Sequence, residues 1–208
     1  IETLKGKKTK TPIWLMRQAG RHLPEYIKIR QKYKDLMEMF LDPEVITNIS
    51  LQPVQRYGLD ACIVFSDILM IPYASGCDVS FKEGVGPQVK FNERFNFASH
   101  KLDPVIKGIE NIKKASEVPL IGFVGGPWTT LLYCLFDKEE RSQMNKGLIH
   151  KNEKIINTHI ENLTDIISNY AAQQVNAGID AFQIFESAAG DLEDEYFDRW
   201  CLKPTQKI

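Results

Sequence analysis

Residues Gly58–Asp67 read GLDACIVFSD, and residues Gly178–Ser187 read GIDAFQIFES. Each copy begins with a glycine after a helical pattern, continues as an apolar strand and ends in polar residues. Glycine suits the left-handed conformation that often follows the last turn of a helix. The repetition therefore predicts that the two copies hold equivalent positions in successive helix–strand units.

The segments before the two copies are typical of helices. Asp42–Pro43 resembles a helix start, with a carboxylate cap and a proline in the first turn. Asp103–Pro104 opens another predicted helix between the two copies. Apolar residues at helical spacing predict a buried stripe in each of the two helices that precede the copies. These stripes are Val45, Ile46, Ile49 and Val54, then Ile155, Ile156, Ile160, Leu163, Ile166, Ile167, Tyr170 and Val175.

Four strands alternate with these helices, around Ile13–Met16, Cys62–Ser66, Leu120–Val124 and Phe182–Phe185. Alternation of this kind predicts a parallel sheet with functional groups at the carboxyl ends of the strands. An open doubly wound sheet and a (β/α)8 barrel both fit. No Gly-x-Gly-x-x-Gly turn follows the first strand, which weakens the dinucleotide-binding alternative. We favour an α/β fold of the (β/α)8 TIM barrel type.

A complete barrel takes roughly 250 residues, so the four units predict the N-terminal half of one barrel domain, residues 1–208. The chain begins with Ile1, and we expect the native protein to continue past Ile208. Its net charge of -1 argues against nucleic-acid or membrane-surface binding through bulk electrostatics. The scattered cysteines suggest reduced thiols and a cytoplasmic protein. They are Cys62, Cys77, Cys134 and Cys201.

The apolar run Pro12–Met16 leads into two arginines, Arg17 and Arg21, four residues apart. Arginine stays charged at physiological pH and binds carboxylates with two parallel hydrogen bonds. The pair therefore predicts a pocket for a substrate with several carboxylates. A structural ion pair beside a surface arginine is the alternative interpretation.

Asp67 directly follows an apolar strand and precedes another apolar stretch, so we expect it to be partly buried. A buried carboxylate costs several kcal/mol unless a partner compensates it. Asp67 is therefore either an ion-pair partner of Arg17 or Arg21, or a group that accepts hydrogen bonds from substrate N–H groups or stabilises developing positive charge.

The third strand runs into Gly125–Pro127, whose backbone amides at a helix start predict an anion seat. Tyr133 lies about a turn further on and fits a core position as well as a site position. Ser187 ends the fourth strand, with no histidine near it in sequence to suggest a nucleophile. Taken together, these residues suggest proton-transfer chemistry on a polycarboxylate, without a metal or an organic cofactor.

Four segments resemble the uroporphyrinogen decarboxylase family and occur in the family's order. They are MRQAGRHLPE (Met16–Glu25), FSDIL (Phe65–Leu69), GFVGGPWT (Gly122–Thr129) and FESAAG (Phe185–Gly190). The resemblance implies a (β/α)8 barrel, usually a homodimer, that converts uroporphyrinogen III into coproporphyrinogen III on the route to haem. Four acetate side chains lose CO2 and become methyl groups, and the family uses no cofactor.

The resemblance also implies roles for individual residues. Asp67 matches the aspartate that receives the central pyrrole N–H groups. An arginine such as Arg17 either holds the departing carboxylate or helps to deliver a proton to the ring, so these two are the predicted catalytic residues. Tyr26 and Phe185 match walls of the pocket. The predicted substrate-binding residues are Arg17, Gln18, Ala19, Gly20, Arg21, Asp67, Tyr133 and Ser187.

Two features differ from the family pattern. The family's C-terminal part, with its substrate-contacting histidine, has no counterpart here, and the segment between Phe81 and Asp103 is shorter than usual. Two other functions remain open. One is a zinc-dependent corrinoid or thiol methyltransferase of the same superfamily, and the other is a non-catalytic porphyrinogen-binding protein.

Overall fold

The computed structural model of the chain describes residues 1–7, 10–82 and 86–208. The helices are α1 (Pro24–Arg30), α2 (Leu36–Phe40), α3 (Pro43–Tyr57), α4 (Met70–Ala74), α5 (Asp103–Ala115), α6 (Pro127–Leu135), α7 (Lys138–Ser142), α8 (Lys146–Asn176), α9 (Asp194–Phe197) and α10 (Lys203–Lys207). The strands are β1 (Cys62–Ile63), β2 (Asp78–Lys82), β3 (Gly86–Lys90), β4 (Leu120–Gly125) and β5 (Ala181–Phe185). None of the described helices is long and apolar enough to cross a membrane.

The chain divides into two compact units. The first unit is Ile1–Asp67, Leu102–Phe123 and Ala172–Gln183, and the second unit is Ile68–Lys101, Val124–Ala171 and Ile184–Ile208.

The main sheet has three strands in the order β1-β4-β5. β1 and β4 are parallel, with Cys62 opposite Leu120 and Ile63 opposite Ile121. Helices separate these strands along the sequence, so the α/β class with a parallel sheet is confirmed. The antiparallel hairpin β2–β3 is not predicted by the sequence. This hairpin overlaps the segment between Phe81 and Asp103, which the sequence analysis describes as shorter than usual. Residues 83–85 of that segment lie outside the described part of the chain.

The predicted start and end of α3 are confirmed. The Asp42 carboxylate accepts hydrogen bonds from the backbone N–H groups of Glu44 (2.9 Å) and Val45 (3.2 Å). Gly58 follows the helix with φ 62° and ψ 42°, the left-handed conformation that the repeat predicts. Gly178, its counterpart after α8, also has a positive φ, of 103°. Both glycines therefore adopt a positive φ just after their helices.

The buried stripe of α8 is narrower than the sequence predicts. Ile156, Ile160 and Tyr170 are buried, but 39% of Ile155 and 57% of Val175 is exposed. Adjacent residues of a helix point in different directions, so Ile155 faces outward when Ile156 faces the core. The prediction was wrong for these two residues.

The repeat extends to individual hydrogen bonds of the first unit. The Asp180 carboxylate accepts from the N–H of Leu120 (2.8 Å), and the N–H of Asp180 donates to the Leu120 carbonyl (2.8 Å). Asp60, its counterpart in the first copy, makes the same pair of bonds with Ile13, at 2.7 and 2.9 Å. Ile13 therefore lies in the place that Leu120 occupies at the start of β4.

The predicted strand Ile13–Met16 does not form, and the apolar side chains of this run are exposed rather than buried. The exposed fractions are 61% for Ile13, 36% for Trp14, 47% for Leu15 and 59% for Met16. Within the described residues, the backbone at β1 that a strand Ile13–Met16 would pair with forms its hydrogen bonds with the side chain of Gln18 and not with the backbone of the run. The run therefore leaves the ladder after Ile13.

The second predicted strand, Cys62–Ser66, is shorter than expected. Regular pairing ends at Ile63, although the N–H of Val64 still donates to the Ile121 carbonyl at 3.1 Å. The N–H of Phe65 donates instead to the Ser50 hydroxyl of α3 at 2.8 Å. A side chain thus replaces the neighbouring strand as the partner of this backbone group, which ends the strand.

Candidate functional site

The loop that carries the two predicted arginines is tied to β1 through Gln18. The buried amide of Gln18 donates to the Ala61 carbonyl at 3.0 Å and accepts from the Ile63 N–H at 3.2 Å. Arg17 and Arg21 stand on either side of this anchor with exposed side chains. A buried polar side chain that replaces a strand partner fixes the position of its neighbours, because an unmade buried bond costs about 1–3 kcal/mol.

Asp67 stands four residues after the end of β1 and is half-buried, as predicted. It lies in the first unit, together with the whole Arg17–Arg21 loop. Both segments are connected to β1. The loop is connected through the hydrogen bonds of Gln18, and Asp67 is connected through the backbone that continues from the strand. The first unit therefore contains six of the predicted residues: Arg17, Gln18, Ala19, Gly20, Arg21 and Asp67.

An apolar cluster packs against the Arg17–Arg21 loop. Ala19 and Phe65 both pack against the buried cluster of Leu23, Tyr26, Met39, Val45 and Ile49. The ring of Tyr26 meets the ring of Phe65 edge-on at 6.1 Å. Burial raises the pKa of the Tyr26 hydroxyl, and the charges of Arg30 and Arg21 only partly oppose that change. Tyr26 therefore stays neutral, as its predicted place in an apolar wall requires.

The predicted anion seat at the start of α6 exists, but a carboxylate of this chain fills it. Glu186 accepts hydrogen bonds from the backbone N–H groups of Trp128 (3.1 Å) and Thr129 (2.5 Å). Burial raises the pKa of Glu186, and the bonds from Thr129 and Trp128 offset only part of that rise. The expectation that Gly125–Pro127 offers its amides to a ligand is therefore corrected. Glu186 compensates the first turn of α6 instead.

Gly126 is required by this arrangement. A Cβ atom at this position would lie 2.2 Å from the Glu186 Oε2 atom and 2.4 Å from its Cδ atom. The N–H of Gly126 also donates to the carbonyl of Phe185 at 2.8 Å. The close approach of α6 and the end of β5 thus depends on the missing side chain at Gly126.

Ser187 is exposed and is held beside α6 by its neighbours. The N–H of Ala188 donates to the Thr129 hydroxyl at 3.1 Å, and the Trp128 indole N–H donates to the Ala188 carbonyl at 3.2 Å. Tyr133 follows Thr129 by four residues and so lies on the same side of α6. The second unit therefore contains both Ser187 and Tyr133, each attached to α6.

Two side chains of structural importance, half-buried Glu186 and buried Gln174, were missed by the sequence analysis. Glu186 carries the same sequence signal as Asp67, a carboxylate at the end of an apolar strand. Gln174 has no comparable signal, since it lies inside α8. Its buried amide accepts from the Phe123 N–H (3.0 Å) and donates to the Phe123 carbonyl (2.9 Å), which resembles the way Gln18 binds β1.

Among the described residues, no group of three or more His, Cys, Asp or Glu side chains is placed to hold a metal ion. All four cysteines are buried and free of disulfides. Burial raises the pKa of Cys62 to about 12 and that of Cys201, beside the charge of Glu186, to about 12. These two thiols therefore stay protonated at neutral pH.

Comparison with known proteins connects these residues to one family. The family model described as uroporphyrinogen decarboxylase (URO-D) matches residues 1–208. A uroporphyrinogen decarboxylase of Rickettsia rickettsii (strain Sheila Smith) is 39% identical over 218 residues, covering 100% of this chain and 63% of that protein. One from Chelativorans sp. (strain BNC1) is 37% identical, covering 100% of this chain and 64% of that protein. The chain thus spans less than two thirds of the length of these curated relatives.

A solved methyltransferase from Methanosarcina mazei superposes with a TM-score of 0.74. The alignment covers 99% of this chain and 64% of the methyltransferase, at 20% sequence identity. At this identity the likeness concerns the fold alone. Together with the parallel sheet and the family match, it confirms the predicted α/β fold of the TIM barrel type, of which this chain contains a part.

Proposed function

The chain belongs to the uroporphyrinogen decarboxylase family, and we propose that the protein removes CO2 from the four acetate side chains of uroporphyrinogen III to give coproporphyrinogen III. The observation that carries this proposal is the anchor of Gln18 on Ala61 and Ile63. It ties the arginine loop to β1, the same strand that leads into Asp67. Cationic groups and one half-buried carboxylate then belong to one compact unit, which suits a substrate with acidic arms and N–H groups.

The chemistry explains why an aspartate is useful here. Loss of CO2 from an acetate arm leaves an electron pair that must be accommodated. A pyrrole that is protonated on a ring carbon accepts that pair, but it carries a positive charge before the carbon–carbon bond breaks. A carboxylate near the pyrrole N–H groups stabilises this charge, and a fixed charge in a partly buried place costs no reorganisation during the reaction. We assign this role to Asp67.

The arginines bind the substrate's acidic arms. Arg17 and Arg21 are exposed and flank the fixed Gln18, so their charged ends reach outward from an anchored base. Guanidinium groups bind carboxylates with two parallel bonds, and this fixes direction as well as distance. We assign the reacting carboxylate to Arg17 and a neighbouring arm to Arg21. The Ala19–Gly20 backbone between them contributes further contacts.

The remaining predicted residues belong to the second unit. We assign substrate hydrogen bonds to Tyr133, which lies near the end of α6, and to Ser187, whose neighbour Ala188 bonds to Thr129 at the start of that helix. We also propose that residues 1–208 form the N-terminal half of a single barrel domain, that the whole protein is a homodimer, and that it acts in the cytoplasm. The family resemblance and the four unpaired cysteines support these last proposals.

The test is turnover by the full-length protein under anaerobic, reducing conditions. Uroporphyrinogen III is incubated with the protein, released CO2 is measured, and the loss of carboxyl groups is followed by chromatography. Stepwise loss of four carboxyls is expected, and it should be strongly reduced in the Arg17→Gln variant. Arg94→Gln, an exposed arginine outside both candidate segments, is the matched control. Binding of the tetrapyrrole without any release of CO2 would contradict the proposal and favour a binding protein.

A further inference from the structure

The second unit contains an open cleft of about 530 Å³, a size typical of small-molecule sites. One wall is the hairpin β2–β3, where Ser80 faces Gln88 across the two strands. The opposite wall is formed by the end of α6, including Tyr133, and by α7. Apart from Tyr133, none of the residues in this cleft has a role in the function proposed above.

Four cationic side chains line the cleft, and they belong to Lys82, Lys90, Lys138 and Arg141. No described acidic side chain forms an ion pair with any of them. Two of the three carboxylates that line the cleft are occupied at the start of α7. Asp137 accepts from the Glu140 N–H at 2.9 Å, and Glu140 accepts from the Asp137 N–H at 3.0 Å.

Arg141 is the best fixed of these cations. Its guanidinium lies 4.3 Å from the centre of the Tyr133 ring, and its Nη1 atom donates to the Phe136 carbonyl at 2.6 Å. Stacking on an aromatic ring and one backbone bond hold the planar fork in one orientation. A guanidinium has five N–H donors, so most of them remain to bind a ligand in the cleft.

We propose that this cleft binds carboxylates of an organic polyanion, with Arg141 as the main receptor and Lys82, Lys90 and Lys138 around it. The inference rests on the proposed function in one respect, which is that the polyanion is the acidic edge of the tetrapyrrole substrate. Four cations face three carboxylates, including Asp78, so the excess positive charge is small. Such a lining suits separate, singly charged carboxylate arms better than a concentrated phosphate charge.

The test measures binding of two stable, oxidised probes to the full-length protein. Uroporphyrin has eight carboxylates and coproporphyrin has four, and both are followed by the change in porphyrin fluorescence. We expect Arg141→Gln to weaken uroporphyrin binding about tenfold, since a charge-assisted fork is lost. Lys90→Gln should weaken binding about two- to threefold, because an exposed lysine contributes less. Both effects should shrink at high salt.

Matched controls and competitors separate the possible results. Lys151→Gln, an exposed lysine of α8 outside the cleft, should bind uroporphyrin like the unmodified protein. Arg141→Lys keeps the charge but not the fork, and it should recover only part of the loss. Stronger competition by inorganic phosphate than by the tricarboxylate tricarballylate would overturn the assignment to carboxylates.

Turnover of uroporphyrinogen, measured on the same variants, keeps the two proposals distinct. Weakened binding in Arg141→Gln, together with an unmodified protein that releases no CO2, would support the cleft and contradict the proposed function. Unchanged binding and unchanged KM in Arg141→Gln, in a protein that does release CO2, would overturn the cleft and leave the proposed function intact.

Discussion

The two copies of the internal repeat, Gly58–Asp67 and Gly178–Ser187, have similar sequences but end differently. Regular pairing in the first copy stops after two residues, and the chain runs on to Asp67. The second copy forms a strand of five residues, and Glu186 directly after it accepts two backbone bonds from α6. A carboxylate at the end of a strand is therefore structural where a helix start meets it. The sequence around the carboxylate does not reveal this, because the helix is elsewhere in the chain.

The beginnings of the two copies are much more alike. Asp60 and Asp180 each bind both backbone groups of one residue on the preceding strand or run, Ile13 and Leu120 respectively. Among the described residues, only the second copy adds a cation, because Lys113 donates to both oxygens of Asp180 at 2.7 and 2.6 Å. Equivalent positions thus keep their backbone role and differ in what the surrounding helices supply.

The largest effect should come from the end of the first copy. If Asp67 stabilises the positive charge of the protonated pyrrole, Asp67→Ala should lower kcat about 10²- to 10³-fold, the usual cost of removing one such group. The fold should persist, as checked by circular dichroism and thermal unfolding. Glu161→Ala, at an exposed acidic residue of α8, is the control. Near-normal turnover in Asp67→Ala would mean that both copies end in structural carboxylates.

The next largest effect should come from the end of the second copy. Gly126→Ala places a methyl group against the Glu186 carboxylate, so we expect a loss of about 1–3 kcal/mol in the free energy of unfolding, measured in urea. The clash should largely disappear when Gly126→Ala is combined with Glu186→Ala, which a double-mutant cycle would detect. Gly190→Ala is the control, since a Cβ atom there meets nothing within 4 Å. Strictly additive losses would show that Glu186 does not lie against Gly126.

The repeat and its helix ends were predictable because they depend on local rules. Gly58 and Asp42 act within a few residues of their own position in the sequence, so their roles can be read from it. The run Ile13–Met16 could not be predicted in the same way. Its apolar composition is typical of a strand, but a strand also requires backbone partners, and Gln18 supplies these to β1 with a side chain.

The predicted anion seat at the start of α6 shows the same limit of prediction from local sequence. Backbone N–H groups at the start of α6 follow from the local sequence, whereas the occupation of those of Trp128 and Thr129 by Glu186 depends on a residue some 60 positions away in the chain. The membership of Gln18 and Asp67 in one compact unit agrees with the resemblance, yet the roles of the predicted site residues stay predictions until turnover is measured. Long-range partners, and not residue types, decide which polar groups remain for chemistry.

A smaller effect should separate the two repeated aspartates. Asp180→Ala removes an acceptor from Leu120 and from Lys113, and we expect it to cost about 2 kcal/mol in the free energy of unfolding. Asp60→Ala removes the acceptor of the bond from Ile13 and should cost about 1 kcal/mol. Urea unfolding of both variants at neutral pH provides the measurement. A larger loss for Asp60→Ala would show that the exposed run after Ile13 matters more for stability than β4.

The smallest effect concerns pH and has opposite signs for Asp180 and Glu186. Burial pushes the pKa of Asp180 up, but the bonds from Lys113 and Leu120 outweigh it and leave the pKa lowered. Its stabilising contribution is therefore present above the unfolded value of about 3.9 and is lost as the pH falls through the lowered pKa. The raised pKa of Glu186 acts in the other direction. Its contribution is complete below the unfolded value of about 4.3 and is lost as the pH rises through the raised pKa.

Urea unfolding from pH 3 to pH 7 separates these contributions. Asp180→Asn should weaken the loss of stability on acidification below about pH 4, and Glu186→Gln should weaken the decline above about pH 4.3. The two slopes should change independently, because each carboxylate binds its own set of donors. If Glu186→Gln left the decline above pH 4.3 unchanged, the Glu186 carboxylate would not be the buried anion of α6. The N–H groups of Trp128 and Thr129 would then return as a candidate seat for a substrate carboxylate.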